Sequence, residues 1–451
     1  MYKEKDLTTG SLWKQILFFS LPLMVSNILQ VLFNMSDIAV VGKFSGEIAL
    51  GAVGSTTTLV TLFTGFLIGL GNGVNVVVAR FLGEKNQKST TQAVFTSFIT
   101  SIVLGAIILV IGLFCSRFFL ELIHTKDDLI DGATLYLKIY FLGMPALAIY
   151  NYGNAVFSAC GQTKKPVVFL FIAGIINVCL NLFFVIVCSL DVAGVAMASA
   201  VSQYVSAILI IISLCRLKTN CKLVFKGNKF NWHHCGYLIK IGFPSGFQNS
   251  IFAIANLFIQ DAVNSFDSVM VEGNSAAANF DALIYDVMAA FYMACSSFVS
   301  QNYGAKKKER ILKSYLISML YAFIAGAILG LCLELFGKTL LSIFTSSPIV
   351  MDAGLKRLRI MGYSYAFSCV MDGTIAASRG LGKTIVPTII VILGSCVFRI
   401  VWIYTIFNHY HTIPSLYLLY IFSWSITGLC ELAYFIYIYI KIMKRPIVNI
   451  E

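Results

Sequence analysis

Charge is scarce in this chain. Asp, Glu, Lys and Arg make up 12% of 451 residues, about half the roughly one quarter found in soluble domains. No polar block runs much beyond about twenty residues, which leaves no room for a separate soluble domain. The twelve cysteines include no CxxC pair, so neither a metal ribbon nor a redox motif is expected, and buried, inert thiols are the reading. The five histidines, His124, His233, His234, His409 and His411, lack metal-ligand spacing. No Ser/His/Asp set shares a predicted depth, so no catalytic constellation is expected. Met1–Lys14 is polar and mildly basic, without a short apolar core and small-residue cleavage site, so no removable signal peptide is expected.

What the chain does have is hydrocarbon. Apolar residues are 58% of it, arranged in stretches long enough to cross a bilayer core of ~30 Å. Twelve spans are predicted, at 16–41, 50–78, 92–116, 131–158, 166–190, 192–216, 236–263, 273–300, 312–337, 353–378, 385–407 and 414–441. The longest connection, from Arg216 to Gly236, joins the two sets of six. The predicted division is a first lobe at 1–220, a linker at 221–235 and a second lobe at 236–451.

The two sets repeat each other through the residues that interrupt helices. Gly83-Glu84-Lys85 recurs as Gly304-Ala305-Lys306, 221 residues on. Gly161 and Pro166 recur at the same offset as Gly382 and Pro387, while Pro22 and Asn27 recur 222 residues on as Pro244 and Asn249. Such a duplicated bundle is a common transporter plan.

Basic residues set an orientation. Of 33 Lys and Arg, 24 fall on the side that carries both termini and the linker. Cationic loops stay cytoplasmic, so the net charge of +12 is an orientation signal and not a nucleic-acid footprint. The other side keeps Lys43, Arg117, Lys126, Lys138, Lys338, Lys356, Arg357 and Arg359, and Arg399 is left as the deep basic residue.

Inside the spans, Gly65, Gly69 and Gly73 share one helix face, which lets a neighbouring helix approach closely. Gly69-Leu70-Gly71-Asn72-Gly73 lacks the strand and helix start of a nucleotide loop. The Asn34-Met35-Ser36 sequon lies within a span and is a false positive. Ionisable groups cost on the order of 2.5–3.5 kcal/mol in hydrocarbon on insertion scales, so each one there carries information. The first half has Asp37, with Asn177, Asn181 and Ser199 as neutral oxygen donors. The second half has Asp261, Asp281, Asp286, Asp372 and Glu431. Arg399 can form a structural ion pair with Asp372 or Glu431, but it cannot neutralise every acid.

These residues carry a resemblance. Leu21-Pro22, Asn27, Gln30, Asn34, Asp37 and Val41-Gly42 resemble the opening signature of the multidrug and toxic compound extrusion (MATE) family. Gly161-Gln162-Thr163 with Pro166, Arg379-Gly380-Leu381-Gly382 with Pro387, Gly242-Phe243-Pro244 with Gln248, Gly273-Asn274 with Ala278-Asn279, and Ser300-Gln301-Asn302-Tyr303-Gly304-Ala305 extend it over roughly residues 10–443. The resemblance implies an all-α integral membrane protein with twelve transmembrane helices in two pseudo-twofold-related six-helix lobes. It implies efflux of bulky, often cationic or amphipathic organic compounds in exchange for Na⁺ or H⁺, with no cofactor. In prokaryotic members the coupling site maps onto Asp37, Asn177, Asn181 and Ser199, with Na⁺ at Asp37, Asn177 and Asn181 as one form. Asn181 departs from the family's acid there, removing one negative charge.

Gln248, Asp261, Asp281, Asp372 and Arg399 are candidates for the substrate cavity or a second coupling site, and Pro22 for a hinge. The expected partners are small organic solutes and the bilayer, with a monomer sufficient and no nucleic acid. A lipid-linked oligosaccharide flippase of the same superfamily is the rival, and it should show a lipid-wide cationic cavity. A bacterial inner membrane is the expected location.

Overall fold

The computed structural model describes residues 6–444; Lys3, Lys5 and Arg445 of the orientation count, and the first residues of the polar N-terminus, lie outside them. Among the described residues the chain is helical, in the order α1 Leu12–Phe44, α2 Gly46–Gly83, α3 Gln87–Leu122, α4 Asp127–Leu142, α5 Met144–Ala159, α6 Lys164–Leu182, α7 Asp191–Cys215, α8 Trp232–Asn264, α9 Ser268–Gly304, α10 Lys308–Leu341, α11 Pro348–Gly380, α12 Ile385–Val391, α13 Phe398–Trp402, α14 Asn408–Tyr410 and α15 Ile413–Lys444. Short π-helical segments occupy Phe183–Val187, Ile392–Val397 and Ile403–Phe407.

Among the described residues, nine helices are long and apolar enough to cross a membrane, and the bent pair α4–α5 makes a tenth. The predicted span 131–158 is therefore broken, with a 47° bend around Gly143. Pro145, in the first turn of α5, explains the break: it has no N–H to donate, and its ring would crowd the carbonyl of Phe141 in a continuous helix. The remaining two long elements, α8 and α11, have 33 residues each. At 1.5 Å per residue they are about 50 Å long, ample for a crossing, and their polar side chains are what lower their hydropathy.

The sequence repeat reappears as backbone geometry. Lys85 and Lys306 take left-handed φ values of 55° and 59°, and Gly161 and Gly382 take 72° and 74°. A left-handed residue just past a helix end turns the chain and satisfies the last carbonyls. The π segment Phe183–Val187 likewise recurs as Ile403–Phe407.

The residues pack as two compact units. The first is Val25–Ser250. Its core runs through Val41, Val53, Leu67, Leu120, Leu137 and Phe141. Its α2 and α8 cross with almost no side chain between them: a Cβ on Gly69 would lie 2.2 Å from the Gly246 nitrogen, and one on Gly73 would lie 2.8 Å from the Gly242 Cα. Asn72 Nδ2 donates to Ser245 Oγ at 3.2 Å, and Asn249 Nδ2 to the Gly65 carbonyl at 2.9 Å, on either side of that crossing.

The second unit takes Leu7–Met24 together with the chain from Ile251 on. Its core includes Ile16, Phe19, Phe298, Tyr315, Tyr365 and Tyr417. The segment before α1 is tied down here: Leu7 N donates to Gln301 Oε1 at 2.7 Å, Lys307 Nζ to the Thr8 carbonyl at 2.7 Å, and Arg310 Nη1 to the Gly10 carbonyl at 3.0 Å. The compact units divide inside α1 and α8. Each of these two helices carries a proline, Pro22 or Pro244, within its continuous run. Pro22 lies well inside α1, past its first turn.

One expectation about the cysteines fails. Cys160, at the end of α5, is joined by a disulfide to Cys221 in the connection before α8. Sequence spacing held no sign of it, because the two thiols meet only when the connection folds back on the bundle. Cys235, Cys295, Cys369 and Cys396 are free and buried, as read from sequence.

Candidate functional site: a lone carboxylate among neutral donors

The first unit brings Asp37, Asn177, Asn181 and Ser199 into one hydrogen-bonded group. The local cause is a close approach of α1 and α6. A Cβ on Gly174 would fall 1.8 Å from the Phe33 ring, so glycine there lets α1 press against α6. Asp37 is one helical turn beyond Phe33, and Asn177 and Asn181 lie one and two turns beyond Gly174, four residues apart on a common face. From α7, Gly194 packs against Phe184 of the π segment, bringing Ser199 to the same level. That segment begins directly after α6, as π-bulges often do beside functional groups.

Both carboxylate oxygens of Asp37 are engaged. Asn181 Nδ2 donates to Oδ1 at 2.5 Å, and Ser199 Oγ donates to Oδ2 at 2.8 Å. Behind them Asn181 Nδ2 also donates to Asn177 Oδ1 at 3.2 Å, and Asn177 Nδ2 to Ser199 Oγ at 3.3 Å. Asn177, Asn181 and Ser199 are buried, and Asp37 is half-buried. The Asn181 carbonyl oxygen, Oδ1, is buried with no hydrogen-bond partner. A buried acceptor without a donor is costly, and it is the sort of oxygen a small cation can use. The group presents one negative charge, neutral amide and hydroxyl oxygens, and one acceptor left over. At the matching positions 221 residues on stand Phe398, Trp402 and Tyr420, so the second repeat has no copy of this group.

The second unit disposes of its charges differently from the sequence reading. Arg357, assigned by sequence to the outer loops, is buried and pairs with Asp281, its Nε 2.7 Å from Oδ2. Tyr365 Oη donates to the other Asp281 oxygen at 2.5 Å. Arg357 Nη1 donates to Asn274 Oδ1, which also accepts from Tyr417 Oη at 2.6 Å. Arg357 lies 5.2 Å from the Tyr417 ring centre. Glycines again set the geometry: a Cβ on Gly273 would meet the Gly354 nitrogen at 2.6 Å, so α9 and α11 touch backbone to backbone. Arg399 is therefore not the lone deep basic residue, and Asp281 is not a free acid.

Arg399, which could have paired directly with Asp372 or Glu431, sits instead in a cage, with Asp372 acting on it at longer range. Its Nε donates to Ser423 Oγ at 3.2 Å, and its guanidinium carbon lies 4.6 Å from the Tyr420 ring centre and 5.7 Å from those of Phe252 and Trp424. Asp372 is half-buried, with Oδ2 lacking a hydrogen-bond partner, and Glu431 is buried with both oxygens lacking one. Gln248 is buried in α8. Asp261 is exposed near the end of α8 and joins none of these groups.

Asn274, Arg357, Tyr365 and Tyr417 escaped the sequence reading as a site. Asn274 and Asp281 are seven apart on α9, two turns along one face, which was a usable signal.

Residues 22–183 match the profile of the MatE family, and residues 244–405 match it a second time. With its long apolar helices, the chain is thus a membrane transporter and not an enzyme. It belongs to the MatE family. It is 27% identical over 393 residues to the probable multidrug resistance protein YpnP of Bacillus subtilis, covering 86% of this chain and 87% of that one. It is 23% identical to the probable multidrug resistance protein NorM of Thermotoga maritima, over 84% of this chain and 82% of the relative. A solved structure of an outward-facing multidrug resistance MATE family transporter of the MOP superfamily superposes with a TM-score of 0.91 at 20% identity, covering 99% of this chain and 100% of that one. The fold is the twelve-helix, two-lobe architecture.

Proposed function

We propose that the chain is a secondary antiporter that exports bulky cationic or amphipathic organic compounds by alternating access, driven by entry of Na⁺ or H⁺ at Asp37. The observation that carries this reading is the Asp37 group: a carboxylate whose two oxygens are held by Asn181 and Ser199, neutral residues of two other helices. One carboxylate balances one monovalent cation without residual charge. Sodium would draw on Asp37, the leftover Asn181 oxygen and the neighbouring Asn177 and Ser199 oxygens, a hard oxygen set suited to it. A proton would occupy an Asp37 oxygen and end its acceptance of a hydrogen bond. Both ions use the same carboxylate, so they exclude each other.

Asp372 is our choice for the substrate cavity of the second unit; Arg357 already neutralises Asp281. Pro22 and Pro244, one in each helix shared between the compact units, are the hinge candidates. The basic-residue distribution supports cytoplasmic termini and a bacterial inner membrane.

The energetics allow the exchange. A hundredfold solute gradient costs ~2.8 kcal/mol, and one charge crossing ~100 mV supplies ~2.3 kcal/mol. If the exported compound is a monovalent cation, one-for-one exchange gains nothing from voltage. The ion's concentration gradient then has to do the work.

The test is uptake of a cationic dye into proteoliposomes with Na⁺ and pH gradients imposed independently. The proposal expects one of the two to drive uptake, and Asp37→Asn to abolish that drive while the protein stays folded. Full retained coupling in Asp37→Asn removes the reading.

A further inference from the structure

We infer that the connection between α7 and α8 is a binding surface for anionic lipid headgroups, with Trp232 as its anchor in the membrane interface. Its charge is one-signed. Arg216, Lys218, Lys222, Lys226 and Lys229 are all exposed, and no Asp or Glu occurs between Asp191 and Asp261. The turns after α2 and α9 each set an acid, Glu84 or Glu309, among their lysines. Four to eight basic residues at the foot of a membrane helix attract anionic lipid at about 1 kcal/mol each, which is about fivefold per residue.

Charge alone describes many cytoplasmic loops. Here the backbone is also fixed, so that the cations are presented outward as a set. Leu217, Cys221 and Leu223 are buried, and Cys221 is bonded to Cys160. Gln92 Nε2 donates to the Lys229 carbonyl at 3.3 Å, Thr91 Oγ1 to the Asn220 carbonyl at 3.4 Å, and Asn231 N to Thr96 Oγ1 at 3.2 Å. Asn231 Oδ1 then accepts from the N–H groups of His233 and His234, at 2.9 and 3.2 Å, in the first turn of α8. α3 therefore holds this connection by its backbone and leaves the lysine side chains free of that work.

The aromatic pattern points to a bilayer and not to a soluble anion. Trp232 is 81% exposed at the start of a membrane-length helix, edge-on to Phe230 at 4.9 Å between ring centres. Phe225 is half exposed, its other side lying on Phe95 and Phe98. Tryptophan at a helix end belongs to the headgroup level. Five cations around it would pair with phosphate groups that no neighbouring acid competes for.

Trp232 is also the reporter. Of the four tryptophans Trp402 and Trp424 are buried, so Trp13→Phe leaves Trp232 as the exposed one. The full chain carrying that substitution goes into nanodiscs with chain-brominated phosphatidylglycerol or chain-brominated phosphatidylcholine at equal mole fraction. The expected result is stronger Trp232 quenching by the anionic lipid. That preference should fall about fivefold for each of Lys222→Gln, Lys226→Gln and Lys229→Gln, while quenching by the phosphatidylcholine persists. Should the combined variant fail to fold, the unsubstituted lysines in 1 M salt, where the Debye length shrinks to ~3 Å, must lose the preference equally. Equal quenching by the two lipids overturns the proposal. So does a preference that survives both treatments, or one that inorganic phosphate removes when chloride of the same ionic strength does not. None of these readouts depends on transport, so they stand apart from the antiport reading.

Discussion

Asn181 Nδ2 and Asp37 Oδ1 lie 2.5 Å apart, across 144 residues of sequence. The pair joins the far turns of α1 to the last turn of α6, so a change in either residue reaches the other directly. Asn181 donates with its amide nitrogen and leaves its oxygen unpartnered. An acid at that position would instead face Asp37 with a like charge.

Asn181→Asp is therefore expected to change stoichiometry and not to abolish transport. Two carboxylates within hydrogen-bond distance cannot both stay ionised without a cation between them. The variant should take up one additional monovalent cation per cycle. The measurement is the reversal potential of dye transport at fixed ion gradients, which moves if the ion-to-dye ratio rises. An unchanged reversal potential contradicts the view that one charge fixes the ratio.

Ser199→Ala removes the donor to Asp37 Oδ2 and one candidate ligand oxygen. Hydrogen bonds to charged groups contribute ~1.5–3 kcal/mol. With Na⁺ driving export, the concentration for half-maximal rate should rise roughly tenfold or more, while the maximal rate is largely kept. Ser202, one turn along α7 and bonded to the Ser199 carbonyl at 2.9 Å, serves as the control: Ser202→Ala should leave the ion dependence alone.

How far this site was legible in sequence follows from what makes residues conspicuous. Asp37, Asn177, Asn181 and Ser199 stood out because polar groups in hydrocarbon are costly, and the two asparagines because helical period puts them on one face. Lys85 and Lys306 were visible as repeat punctuation, and the structure gives the reason in their shared left-handed backbone. Arg357 was misplaced because composition locates the ends of a span poorly. The tenth span was read from 353, but α11 starts at Pro348, so Arg357 lies about 13 Å along the helix at 1.5 Å per residue. The Cys160–Cys221 bond and the aromatic cage of Arg399 depend on which helices are neighbours, and no local pattern carries that.

The Asp281–Arg357 pair should behave as a structural unit. Removing one partner leaves a buried charge uncompensated, at ~3–5 kcal/mol. Asp281→Asn and Arg357→Gln should each lower the thermal stability of the detergent-solubilised protein sharply. The double variant should recover much of the loss, giving a coupling energy well above the ~0.3–0.5 kcal/mol scatter of independent sites. Additive losses mean that the two side chains act apart.

The last expectation concerns the α2–α8 crossing, where two glycines of one helix offer an internal control. A methyl group on Gly69 would sit 2.2 Å from the Gly246 backbone nitrogen, whereas one on Gly54 meets nothing within 4 Å. Both residues lie within α2, so the helix-propensity gain of Gly→Ala, about 0.5–1 kcal/mol, is common to them. Gly69→Ala must push two backbones apart, and overpacking of this kind costs ~1–3 kcal/mol or more. It should lower the unfolding temperature and disturb the Asn72–Ser245 and Asn249–Gly65 bonds that flank the crossing. Gly54→Ala should leave the unfolding temperature unchanged or raise it. If the two substitutions behave alike in a thermal melt, the helices do not meet backbone to backbone at Gly69.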